Sequence, residues 1–182
     1  SWYQKNAPQS LEFIDRIKVD KSAPLVDIGS GASKVIDAFL DRGFSDITAL
    51  DISASAFAHS KQRLGKAANR VFFIEADILY WQPDRSYQLW HDRAVFHFLT
   101  KQQDRDTYIR TLAATLGTEA VFICGGFSTF GPEKCSGLPV RQYDASLMAE
   151  TFGPWFDLVE SEVETHFTPT CVEQHFLWSF FR

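Results

Sequence analysis

The stretch Leu25-Val-Asp-Ile-Gly-Ser-Gly-Ala-Ser33 constrains the chain more than any other. Residues 24–28 form a short apolar run that reads as a buried strand. The run ends at Gly29-Ser30-Gly31, and residues 34–41 then place Val35, Ile36, Phe39 and Leu40 on one helical face. Small residues at such a strand-to-helix turn let the backbone approach a ligand closely. The helix N-terminus there offers outward-facing N–H groups.

The same alternation continues along the chain. Residues 10–18 carry Leu11, Ile14 and Ile17 at helical spacing, with Ser10 placed to cap. Gly43 follows the second helix as a C-terminal cap. Strands are expected at 47–52, 71–76, 87–95 and 120–127, and helices at 53–65, 104–116 and 144–152. Residues 128–143, broken by Gly and Pro, read as a loop. The runs 156–167 and 173–181 read as a final antiparallel pair, adding an antiparallel edge to the sheet. Repeated strand–helix units imply an α/β fold, a doubly wound, mostly parallel sheet with helices on both faces. No repeat or linker divides residues 1–182, so one domain is expected.

Acidic residues close the strands that follow the glycine turn. Asp51 ends the second strand, where a carboxylate can accept hydrogen bonds from ribose hydroxyls. Asp77 ends the third and is followed by Ile78, a pair suited to the edge and face of adenine. The dinucleotide pattern G-x-G-x-x-G fails because Lys34 stands at its third glycine. Asp27, two residues before Gly29, would repel a pyrophosphate but attract a cation or amine. These residues describe a ligand with ribose, adenine and an ammonium or sulfonium group, and without phosphate. S-adenosylmethionine fits.

On Val26-Asp-Ile-Gly-Ser-Gly31, Leu50-Asp51-Ile52 and Glu75-Ala-Asp77-Ile78, the chain resembles class I S-adenosylmethionine-dependent methyltransferases from about residue 10 to 182. Ser33, where many members carry a third glycine, is a departure. The resemblance implies a three-layer, Rossmann-like, seven-stranded sheet whose final strand is antiparallel. It implies Gly29 and Gly31 beneath the methionine part of the cofactor, Asp51 with Ile52 at the ribose, and Asp77 with Ile78 at the adenine. S-adenosylhomocysteine is the product it implies. Residues 1–9 are expected to fold over the cofactor, bringing Trp2 and Tyr3 to it.

Chemistry is expected after the fourth strand, in Trp90-His-Asp-Arg-Ala-Val-Phe-His-Phe-Leu-Thr100. Ligands of open α/β sheets bind at the carboxyl ends of strands, which places His91 and Asp92 by the cofactor. His91, Asp92 and His97 are the candidate catalytic residues, and His91 is also a candidate cofactor contact. Phe96, Phe127 and Cys135 are candidate substrate contacts, with Lys134 beside Cys135 favouring its thiolate. The chain holds 17 Phe and 5 Trp. Of its aromatics, Trp2, Tyr3, Trp81, Trp90, Phe96, Phe98, Phe127 and Phe130 fall at chain ends and strand-end loops, where they could wall a dry pocket.

The remaining composition narrows the partners. Lys and Arg number 18 against 23 Asp and Glu, a net charge of −5, which lacks the basic footprint of a nucleic-acid binder. The Asn-Pro-Pro-Tyr and Asp-Pro-Pro-Tyr tetrapeptides of many base-methylating members are absent. A small-molecule methyl acceptor is therefore expected, with a protein lysine as the alternative and a non-catalytic cofactor-binding module as the alternative of another class. A nicotinamide enzyme is disfavoured by Asp27 and Lys34. The three scattered cysteines form no CxxC pair, so no metal centre is expected, and reduced thiols in the cytoplasm are. No apolar run approaches the ~20 residues of a membrane span, and the opening residues lack a signal-peptide pattern.

Overall fold

The computed structural model describes residues 10–167 and 173–182; Trp2, Tyr3 and Cys171 lie outside the described residues. Helix α1 (Ser10–Ile17) buries Leu11, Phe13 and Ile14. There follow β1 (Leu25–Ile28), α2 (Val35–Asp41), β2 (Ile47–Asp51), α3 (Ala54–Leu64), β3 (Val71–Glu75) and β4 (Tyr87–Arg93). A 3-10 segment, Gly65–Arg70, links α3 to β3, and a 3-10 turn, Phe96–Phe98, leads to α4 (Gln102–Thr115) and β5 (Leu116–Phe127). The chain closes with a small hairpin, β6 (Lys134–Cys135) and β7 (Leu138–Pro139), then α5 (Ala145–Phe152), β8 (Leu158–Phe167) and β9 (Glu173–Phe181).

Seven strands form one sheet in the order β3-β2-β1-β4-β5-β9-β8. Strands β1 to β5 pair in parallel, while β9 runs antiparallel to both β5 and β8. The final strand is thus antiparallel, as the resemblance implied, but it does not lie at the edge. It is inserted between β5 and β8, because its run Phe176 to Phe181 is buried without a break and needs cover on both faces. The acidic β8, with Glu160, Glu162 and Glu164, takes the edge.

Successive side chains of a strand leave on opposite faces of the sheet, so each strand feeds two cores. On one face Leu25, Ile47, Val121 and Trp178 pack beneath α1, α2 and Phe57 of α3. On the other, Val26, Ile28, Trp90 and Phe122 meet Tyr108 and Leu112 of α4 and Met148 and Phe152 of α5. Helices α3 and α5 begin where a side chain takes up a free N–H group. Ser53 Oγ accepts from Ala56 N–H at 3.3 Å and Asp144 Oδ1 from Leu147 N–H at 2.8 Å. Gly43, at φ 86°, turns the chain out of α2 as expected. Ser10 was expected to cap; it is already helical, and its hydroxyl is committed elsewhere. The 128–143 segment, expected as loop, carries the β6–β7 hairpin, whose tip residues Ser136 and Gly137 both have positive φ (51° and 83°).

Candidate functional site

A cavity of about 400 Å³ opens at the carboxyl ends of β1, β2 and β4 and beside the segment following β3. Strand β1 lies between β2 and β4, so the cavity sits where successive crossovers diverge to opposite sides of the sheet. Open α/β sheets bind their ligands at this switch point.

The glycine turn forms its floor. Gly29 lines the cavity at φ +68°, and a Cβ there would overlap Val95 Cγ2, so both the backbone angle and the space demand glycine. Gly29 and Ser30 donate their N–H groups to Leu50 O at 2.8 and 3.1 Å. Gly31, at φ +53°, donates to Asp51 Oδ2 at 2.8 Å, and Ser60 Oγ donates to Gly31 O at 2.9 Å. The turn is therefore fastened to β2 and α3 before any ligand arrives.

Asp51, Ile52, Asp77 and Ile78 all line the same cavity. Asp51 Oδ1 accepts from Ser53 N–H at 2.8 Å, so each carboxylate oxygen holds one backbone donor. Each oxygen keeps a second lone pair for a ligand hydroxyl. Asp77 Oδ1 accepts from Leu79 N–H at 2.9 Å, which fixes the turn and aims the rest of the side chain. Ile52, 70% exposed, stands at the rim. Of the predicted cofactor residues, Gly29, Asp51, Ile52, Asp77 and Ile78 come together, with Gly31 tied to them through Asp51. A dry wall is added by Val95, Phe98 and Leu99 from the segment after β4. Arg93 also lines the cavity; burial pushes its guanidinium pKa down, opposed by the charges of Asp27 and Glu164.

Asp27, His91 and Asp92 are not brought to the cavity. His91 is fully buried on the α1 face of the sheet, stacked on Trp178 and edge-on to Phe39. Its Nδ1 meets Asp27 Oδ1 at 2.6 Å and its Nε2 meets Ser10 Oγ at 2.9 Å. Asp27 and His91 are register partners on adjacent strands, so their side chains leave the same face. Asp92, one residue on, leaves the opposite face. It accepts from Tyr108 O–H at 2.6 Å and from the N–H groups of Val95 and Phe96 at 2.9 and 3.2 Å. Burial raises its pKa to about 6, against the lowering effect of those donors.

The other predicted residues are core. Phe96 packs among Tyr108, Tyr143 and Phe152 and is 1% exposed. His97 borders a separate, very small hole with Gly126 and Tyr143, and burial lowers its pKa to about 3, leaving it neutral near pH 7. Phe127 stacks on Phe176 at 5.2 Å, and Cys135 joins that cluster from the hairpin. Phe98 links the two regions, lining the cavity while packing against the Phe127–Cys135–Phe176 cluster. Of the aromatics expected to wall the pocket, Phe98 does so; Trp90 is fully buried, Trp81 packs against it, and Phe130 is 81% exposed. Val95 and Leu99 carried no signal of their own, being ordinary apolar residues in a loop. Among the described residues no group of three or more potential metal ligands is present, and no helix is long and apolar enough to cross a membrane.

A model of the family described as methyltransferase domain matches residues 25–119, more than half of the chain, and the chain belongs to that family. No curated protein sequence matches. Among solved structures, the chain is similar to the 1,6-didemethyltoxoflavin-N1-methyltransferase of Burkholderia thailandensis, bound to 1,6-didemethyltoxoflavin and S-adenosylhomocysteine. That match has a TM-score of 0.75 at 21% identity, covering 96% of this chain and 76% of the other. It is similar to the glycopeptide N-methyltransferase MtfA complexed with S-adenosylmethionine, with a TM-score of 0.74, 14% identity, and coverage of 100% and 95%. TehB from Haemophilus influenzae gives 0.77 at 14% identity, covering 98% of this chain and 63% of that one.

Proposed function

We propose that this methyltransferase, residues 1–182 acting as one unit, binds S-adenosylmethionine in the switch-point cavity and methylates a small-molecule acceptor. The supporting observation is the convergence of Gly29, Asp51, Ile52, Asp77 and Ile78 on one cavity. The residues fit the cofactor: the Gly29 backbone lines the cavity without a side chain, and two carboxylates serve hydroxyl and amino donors. The cofactor supplies an electrophilic methyl on a sulfonium. Gly29 and Gly31 bind its amino-acid part, Asp51 the ribose hydroxyls, and Asp77 with Ile78 the adenine. Val95, Phe98 and Leu99 exclude water and hold the acceptor in line, where alignment supplies several kcal/mol of rate. The buried thiols Cys124 and Cys135, neither in a disulfide, suit a reducing compartment such as the cytoplasm.

Calorimetric titration with S-adenosylmethionine tests the cofactor. Saturable binding is expected, weakened about tenfold or more in Asp51→Ala, where ribose hydrogen bonds go unmade. Absence of heat from the folded wild-type protein rejects the assignment. Incubation of cell extract with cofactor labelled in the methyl group tests the acceptor: label is expected in small solutes, and label confined to protein points to lysine instead.

A further inference from the structure

Four arginines on this chain have carboxylate partners. Arg16 pairs with Glu160, Arg42 with Asp15, Arg63 with Asp37 and Arg85 with Asp46. Arg105, Arg110 and Arg141 have no carboxylate partner among the described residues, and all three line one groove of about 520 Å³ between α4 and α5 that shares no lining residue with the cofactor cavity. Arg105 donates only to neutral oxygens, Leu99 O at 2.9 Å, Thr100 O at 2.7 Å and Gln102 Oε1 at 2.5 Å. Arg110 donates to Thr107 Oγ1 at 2.9 Å. Arg141 places its Cζ 5.6 Å from the centre of the Tyr143 ring, and its Nε is buried with no acceptor among the described residues.

Three guanidinium groups without ion pairs thus gather in one groove of a chain whose net charge is −5. Two carboxylates, Asp106 and Glu150, share the groove, but Asp106 is already engaged by Gln102 Nε2 at 2.7 Å. An unpaired charged donor away from water is costly, and a ligand anion removes that cost. Guanidinium suits carboxylates in particular, through two parallel hydrogen bonds and by stacking on flat groups. Beside the polar Gln102 and Thr151, the lining offers an apolar side made of Ile109, Leu147, Pro154 and the face of Trp155, which is 60% exposed.

We propose that this groove is a second binding site, for an organic anion that joins a carboxylate to a flat apolar body. The carboxylate meets Arg141 and Arg110 and the apolar body lies against Trp155 and Leu147. Arg105, only 4% exposed, serves as the fixed floor. The groove is wired to the cofactor cavity by the chain between them. Arg141 N–H donates to His97 O at 2.8 Å and Arg105 grips Leu99 O, while Leu99 itself lines the cavity. An occupant therefore steadies residues 97–100 and acts on the cofactor site without touching it.

Titration of the cofactor-free protein with 2-naphthoate, followed by tryptophan fluorescence and calorimetry, tests this. Saturable one-to-one binding is expected at or below about 1 mM. Arg141→Gln and the exposed-site variant Arg110→Ala, each checked for an unchanged circular dichroism spectrum, should each weaken it about tenfold or more. Asp51→Ala should bind as wild type, which separates this site from the cofactor cavity. The proposal is overturned if naphthoate does not saturate, if neutral 2-naphthol binds equally well, or if the folded Arg110→Ala protein binds as tightly as wild type.

Discussion

Asp92 and His97 are both buried, yet burial acts on them with opposite sign. The Asp92 carboxyl rises from 3.8 to about 6, so its folded form holds a proton that the unfolded chain has released. Its contribution to stability is full below pH 3.8 and is lost as pH rises through about 6. The His97 imidazole falls from 6.5 to about 3, so its contribution is full above pH 6.5 and is lost as pH falls towards 3. The two slopes oppose one another between about pH 4 and 6 and largely cancel. Removing either residue should unmask the other. Asp92→Asn is expected to lose stability on going from pH 7 to 4.5, and His97→Gln to gain it, each by on the order of 2 kcal/mol relative to wild type. Urea unfolding at the two pH values reads this directly; parallel slopes in both variants refute it. Asp92, together with its neighbour His91, also shows where legibility in the sequence stopped. Gly29, Asp51 and Asp77 were readable because steric demand and strand-end position are local properties. The fates of His91 and Asp92 were not, because the groups that swallow them, Ser10 and Tyr108, lie 81 and 16 residues away.

At the scale of elements, the seat of α1 depends on a polar contact as well as an apolar face. Leu11, Phe13 and Ile14 supply the apolar part. Ser10 Oγ supplies the polar part by meeting His91 Nε2, while Asp27 holds the other ring nitrogen. Ser10→Ala keeps the apolar face and strands a buried imidazole nitrogen, at an expected cost of about 1–3 kcal/mol. Amide hydrogen exchange should show α1 losing protection first. A loss spread evenly over the sheet would show instead that the contact is not specific to α1. Among the elements themselves, β8 and β9 were legible as a final antiparallel pair, while which of the two takes the edge was left open. The unbroken apolar run at Phe176 to Phe181 marks an interior strand, whereas alternating Glu160, Glu162 and Glu164 mark an edge. The β6–β7 hairpin escaped because each strand is two residues long and its one local signal was the Ser136-Gly137 turn.

For the whole molecule, the cavity is a property of strand order and belongs to no single motif. Its lining comes from β1, β2 and β4 and from the segment after β3, and β1 and β4 are joined in the sheet although about sixty residues separate them in the chain. A ligand there bridges both halves of the parallel sheet and binds only the folded state, so it must raise global stability by mass action. At one hundred times its dissociation constant the gain is about 2.7 kcal/mol. For a domain of this size, about 2–4 °C per kcal/mol converts that to a rise in Tm of about 5–10 °C. S-adenosylmethionine should produce this rise in the wild type and little of it in Asp51→Ala. Ser10→Ala should melt lower in both conditions while keeping the full increment, because its defect lies on the far face of the sheet. If Ser10→Ala lost the increment as well, the buried Ser10–His91–Asp27 chain would have to reach the cofactor through β1. The two faces of the sheet would then act together on the ligand, in place of the separation that the side-chain alternation of β4 imposes.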